Sequence, residues 1–214
     1  YWSYALRAFA AILARRGNRS IDLLILTLVI AETEKLGFYA VAVTMGGSIA
    51  FIGASVGAVA FPRVAGTRGR GERHRQVDRY LAVTAGVSLL AAIFIALLAD
   101  PLVRLVYGED FAPAIPVVRL LAFSGAALSV QMLGAALLRG FGRPGLVAIA
   151  EVVGFVITLV GVLIGVRISL TVVAAFALAG SVVAALIEVV ILRRLVDESE
   201  PAEPALDVGE VAET

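Results

Sequence analysis

The chain has 214 residues, of which 60% are hydrophobic and 16% charged, with a mean hydropathy of +0.97 and no cysteine. Soluble domains run at about 45–50% apolar and about 25% charged residues, so this composition excludes a disordered chain, a soluble enzyme and a disulfide scaffold, and points to an integral membrane protein. One histidine and no cysteine leave almost no room for zinc, thiol, haem-attachment or Ser-His chemistry, so neither a catalytic centre nor a bound cofactor is expected.

The sequence opens on Tyr1 without the features of a signal peptide, and is expected to be a piece of a longer protein or a processed product. A helical span needs about 20 mostly apolar residues. Six stretches qualify: 4–31, interrupted by charge; 38–61, stopped by Pro62; 80–99; 114–138; 146–166; and 169–192. Asp100-Pro101 should break the third, leaving 102–107 as an interfacial turn. The alternating segments of a membrane barrel are absent, so the expected fold is an all-α integral membrane bundle of six transmembrane helices.

The connections alternate in charge. One set carries ten arginines: Arg63, Arg68, Arg70, Arg73, Arg75 and Arg79, then Arg139 and Arg143, then Arg193 and Arg194. The opposite set carries Lys35, Arg104 and Arg167, beside Glu32, Glu34, Glu109 and Asp110. The positive-inside bias makes the arginine side cytoplasmic, and an even span count puts both termini there, as expected of a multi-pass protein of a bacterial inner membrane. Residues 197–214 hold seven acids, two prolines and no base, which reads as a disordered cytoplasmic tail. The formal net charge of +1 therefore combines a cationic membrane body with an acidic end.

The first span carries the strongest functional signal. At 100° per residue, Tyr4, Arg7, Ala11, Arg15, Asn18, Arg19 and Asp22 share an arc of roughly 120°. Arg19 and Asp22 are spaced to pair, while Arg15 stays partly uncompensated. Ionisable groups at membrane depth cost about 2.5 to 3.5 kcal/mol each and face bundle interiors or wet cavities, so the stripe predicts a water-filled cavity lined by arginine. Two other readings stay open. The helix can start near Ser20, though only about 12 residues would then span, or the stripe can pair with acids elsewhere, such as Glu151 or Glu188. Gly17 allows a kink or unwound turn in this span, or is a plain packing glycine.

Weaker signals follow. Gln131 and Glu151 lie within apolar stretches, Arg119 is divided between a cavity role and an outer-interface anchor, and Glu188 is expected to pair at the interface with Arg193 or Arg194. Gly53-x-x-x-Gly57 matches a small-residue packing motif. The arginine loop between the second and third spans reads first as a topology signal, with attraction for anionic membrane lipids as the alternative, and His74 within it is expected to be solvent-exposed. Gly69-Arg70-Gly71 lacks the context of a phosphate-binding fingerprint.

Several segments together resemble a known family. Asp22-Leu-Leu-Ile-Leu with Leu36-Gly37-Phe38-Tyr39-Ala40-Val41-Ala42, Phe61-Pro62-Arg63, the run from Asp100 through Tyr107-Gly108-Glu109-Asp110-Phe111, Val118-Arg119-Leu120-Leu121 and Leu138-Arg139-Gly140-Phe141-Gly142-Arg143-Pro144 are similar, in order and spacing, to polysaccharide (O-antigen, Wzx-type) flippases of the multidrug/oligosaccharidyl-lipid/polysaccharide exporter superfamily. The resemblance implies one lobe of a two-lobe flippase, the C-terminal one. Its missing N-terminal lobe would be a partner, and its cargo an undecaprenyl-diphosphate-linked oligosaccharide moved by alternating access. Coupling to a proton or sodium ion is a further expectation, attached to Asp22. On this reading Arg7, Arg15, Asn18 and Arg19 contact the anionic lipid-linked oligosaccharide, and Asp22 holds Arg19 or takes the coupling ion. A cation-coupled multidrug exporter of the same fold and a noncatalytic membrane scaffold are the alternatives, and nothing in the pattern calls for nucleic acid.

Overall fold

The computed structural model describes residues 33–67, 69–141 and 143–198. These form five helices long and apolar enough to cross a membrane: α1 (Thr33–Gly66), α2 (Arg70–Tyr107), α3 (Ile115–Gly140), α4 (Pro144–Gly165) and α5 (Leu170–Glu198). They correspond to the second through sixth expected spans. The first, 4–31, lies outside the described residues, as do residues 199–214 of the tail.

The side chains are sorted for lipid. On α2, Val83, Val87, Leu90, Phe94 and Leu97 recur every three or four residues and are all exposed, while Thr84, Ser88, Ala92 and Ala99 on the opposite side are fully buried. A water-soluble helix would reverse this arrangement. Without a hydrophobic drive between helices in lipid, close packing of small residues takes over, which is why the large apolar groups face out. The exposed band continues through Ile149, Val152, Val156, Val160 and Leu163 of α4 and Leu186 and Val190 of α5, far beyond the patches soluble monomers tolerate.

Central to the bundle is α3, which packs on α1, α2 and α5, whereas α4 is held mainly through α5. The α1–α3 contact is backbone against backbone. A methyl group added at Gly46 would overlap the Leu121 carbonyl, and one at Gly53 the Ser129 carbonyl. The Gly53-x-x-x-Gly57 motif thus packs helices within one bundle, with Gly57 against Ala136. Two larger apolar cores lie towards opposite ends: one around Tyr39, Val103, Val118, Leu121 and Val173, the other around Val64, Val77, Leu133, Leu137 and Leu192.

Neither proline ends its helix where expected. Pro62 lies in the last turn of α1, which runs on to Gly66, and the Thr67 hydroxyl donates to the Arg63 carbonyl at 2.8 Å. Pro101 is likewise inside α2, which continues to Tyr107. Proline removes one donor and crowds the carbonyl four residues back. Next to that crowded site, the guanidinium Nε of Arg119 on α3 donates to the Ala96 carbonyl at 3.3 Å, and Arg104 pairs with Asp100 one turn on at 3.0 Å. The break comes at Gly108, whose φ of 92° suits glycine, followed by a 3-10 turn, Glu109–Ala114. Phe111 anchors that turn, its ring edge-on to Phe38 at 5.4 Å. At the far end α5 extends through Asp197 and Glu198, so these two acids belong to the helix and not to the tail.

Candidate functional site

The residues expected to bind cargo, Arg7, Arg15, Asn18, Arg19 and Asp22, lie outside the described residues. Among the described residues, the buried polar groups gather between the two apolar cores, chiefly along the seam joining α3, α4 and α5.

The centre of this seam is Ser181 on α5. Gln131 of α3 donates through Nε2 to the Ser181 carbonyl at 2.6 Å, and the Ser124 and Ser181 hydroxyls are 2.9 Å apart. The Ser181 hydroxyl also donates to its own helix, at the Ala177 carbonyl, 2.8 Å away. A carbonyl has two lone pairs, so Ser181 accepts from Gln131 while staying in the helix ladder. Glu151 of α4 is buried beside this network, and the Thr158 hydroxyl, two turns along, donates to the Gly154 carbonyl at 3.0 Å. The helices approach this closely because Gly154 and Gly180 face each other: a Cβ at Gly180 would lie 2.6 Å from the Gly154 carbonyl oxygen. Together these groups line a cavity of about 100 Å³.

Glu188 lies two turns further along α5 than Ser181 and is fully buried against α3. Gly134 makes room for it, since a Cβ there would be 2.7 Å from the Glu188 carboxylate. The expected interfacial position is therefore corrected: the side chain turns into the bundle because α3 offers a glycine-sized gap, and Arg193 instead pairs with Asp78 of α2 at 3.1 Å. A second buried polar contact, Ser88 to Ser129 at 2.6 Å, joins α2 to α3. Arg119 is exposed and bonded to α2, so of its two readings the outer anchor fits this position.

The arginine connections all fall at one end of the bundle, as alternating helix directions require. His74 there is half-exposed, not free in solvent: it lies 3.1 Å from Asp78 and 3.7 Å from Asp197, tying the start of α2 to the end of α5. At the opposite end Arg104 is engaged by Asp100 and Glu109.

Residues 1–116, which include α1, α2 and the 3-10 turn, match the family described as polysaccharide biosynthesis protein. The chain belongs to that family. No curated protein and no solved structure matches it. Family membership gives the run from Asp100 to Phe111 a physical reading, because this matched segment holds the Arg104 ion pairs, the glycine break and the Phe111 anchor that fix the turn between α2 and α3.

Sequence reasoning marked Gln131 and Glu151 but missed Ser124, Ser181 and Thr158. Isolated hydroxyls in apolar helices carry little signal, because each can bond its own carbonyl four residues back. A usable hint was present in the spacing: Ser124 and Gln131 are two turns apart and share a face of α3, and Gly154 and Thr158 share a face of α4.

Proposed function

We propose that the chain works as one lobe of a flippase that carries an undecaprenyl-diphosphate-linked oligosaccharide across the bacterial inner membrane by alternating access, with no covalent step. The observation that carries this reading is the conjunction of polysaccharide family membership with a bundle of membrane-spanning helices. A family concerned with polysaccharide, embedded in the bilayer, has the problem of taking a polar, anionic chain through hydrocarbon.

The size of the internal cavity supports the division of labour. At about 100 Å³ it falls well below the roughly 300–1,000 Å³ of ordinary ligand sites, too small for a sugar diphosphate. The cargo chamber is accordingly assigned to the outer face of the lobe, closed by a second six-helix lobe. The Arg15 and Arg19 side chains are assigned to the diphosphate, with Arg7 and Asn18 along the same stripe and Asp22 positioned to hold Arg19 or take a coupling proton or sodium ion. The arginine-rich end is assigned to the cytoplasm.

The test is the double substitution Arg15→Gln and Arg19→Gln in the full-length transporter, scored by surface polysaccharide and by the amount of protein in the membrane. Polymer export should fall to background with insertion unchanged, and normal export in the double variant overturns the assignment. A second reading, a cation-coupled drug exporter, draws support from the buried carboxylates Glu151 and Glu188. It predicts altered drug susceptibility with polymer export intact when Glu151 is replaced by Gln.

A further inference from the structure

A second cavity, of about 160 Å³, opens at the arginine end between the last turns of α1 and α3 and the first turn of α2. Phe61 and Val64 of α1, Leu137 of α3 and Phe141 just beyond α3 give it apolar sides, but the lining as a whole is slightly more polar than apolar. Among the described residues, the one charged side chain lining it is Arg73, held in a fixed pose. Its Nη2 donates to the Thr67 carbonyl at 2.8 Å, and the guanidinium lies over the Phe141 ring with its carbon 5.8 Å from the centroid. The Nε of Arg73 is buried with no hydrogen-bond acceptor among the described residues. Its sequence neighbour Glu72 does not neutralise it, since that carboxylate turns to Arg75 at 3.7 Å and Gln76 at 3.3 Å.

We propose that this cavity binds the phosphate of an anionic phospholipid headgroup, with Arg73 as its ligand. The guanidinium supplies the charge of this cavity, and a phosphate is the group that matches that charge and its planar donor geometry; the Nε, which is closed off from the cavity, joins the contact only if the side chain turns. What favours an amphiphile over a fully hydrated ion is the rim: hydrocarbon from Val64, Leu137 and Phe141 stands beside the polar part of the lining, and Phe61 is itself 42% exposed, a surface for glycerol and the start of an acyl chain. Arg63, Arg139 and Arg143 lie within two residues of cavity-lining positions, which makes the mouth attractive to anions. The site would tether this end of α2, the helix whose Asp78 and His74 also hold α5, to the leaflet richest in anionic lipid. The proposal is independent of what cargo the protein moves.

The experiment is native mass spectrometry of the full chain in detergent, titrated with phosphatidylglycerol or phosphatidylcholine, alongside thermal unfolding with each lipid or with inorganic phosphate. Wild type should retain phosphatidylglycerol in preference to phosphatidylcholine, and Arg73→Gln should lower that retention about tenfold or more, the factor expected for loss of a charge-assisted hydrogen bond. Arg75→Gln removes the same charge from a side chain that is 80% exposed and outside the cavity, and should change retention by no more than about fivefold, the factor expected for one base near a lipid surface. Ala65→Leu, which fills the cavity while leaving Arg73 in place, should reproduce the loss and guards against misfolding of the charge variant; Arg73→Lys should keep a partial preference. Equal losses in the Arg73 and Arg75 variants overturn the site in favour of diffuse surface charge. Stabilisation by inorganic phosphate that matches the lipid and depends on Arg73 overturns the lipid assignment in favour of a soluble anion.

Discussion

The two flanks of α3 are built on opposite rules. Towards α1 the contact is dry, glycine against backbone, with Gly46 and Gly125 meeting across the interface and Gly53 against Ser129. Towards α5 the contact is made by polar side chains, with Ser124 and Gln131 reaching Ser181 and Glu188 seated over Gly134. The first flank leaves no side chain to rearrange, so α1 and α3 behave as one wall. The second is held by side-chain hydrogen bonds, and side chains can rotate without separating the helices, so this flank is the more yielding of the two.

The strongest way to break this comparison is to disturb the dry flank. Gly53→Leu places a side chain where even a Cβ overlaps the Ser129 carbonyl, so the helices must separate. Overpacking of this kind costs about 1–3 kcal/mol or more, and here it also breaks the neighbouring Ser88–Ser129 contact. The variant should lose most of its folded, monodisperse population in detergent chromatography. A Gly53→Leu protein with an unchanged unfolding midpoint would show that α1 and α3 are not fused as described.

A smaller effect is expected on the polar flank. Gly134→Ala brings a methyl group to 2.7 Å from the Glu188 carboxylate, and that carboxylate can swing away, so the cost should be about 1 kcal/mol. Because the cause is one specific overlap, Glu188→Ala in the same chain should relieve it. A double-mutant cycle in thermal or steric-trap unfolding reads the coupling directly, and strict additivity would remove Glu188 from this contact.

These flanks differed in how far the sequence revealed them. For the five described helices, the approximate stretches and the clustering of arginines at one end were legible because apolar length and loop charge are local quantities. The α1 motif was legible too, since Gly53 and Gly57 announce a packing face. Helix ends were not: Pro62 and Pro101 look like stops, yet each is accommodated inside its helix, which runs on to Gly66 or Tyr107. Glu188 illustrates the same limit. Its distance from Arg193 along α5 suggested an interfacial pair, but the space it is buried in is left by a glycine on α3, 54 positions away in the chain. The expected cargo stripe of Arg7, Arg15, Asn18, Arg19 and Asp22 lies outside the described residues, and its test rests on function, not on geometry.

The most delicate probe of the polar flank is Gln131→Leu. It removes the donor to the Ser181 carbonyl but leaves that carbonyl its second lone pair in the helix ladder, so no buried acceptor is abandoned outright. Side-chain hydrogen bonds between membrane helices average about 0.6 kcal/mol, and an isosteric apolar replacement recovers part of that through packing. The unfolding midpoint should therefore fall only slightly. If the seam is a place of exchange, the larger change should appear in dynamics: amide hydrogen exchange around Ser181 should accelerate while exchange around Gly46 and Gly53 stays fixed. Equal acceleration on both flanks would mean that α3 responds as a single rigid unit, and the distinction between a fused wall and a yielding seam would fail.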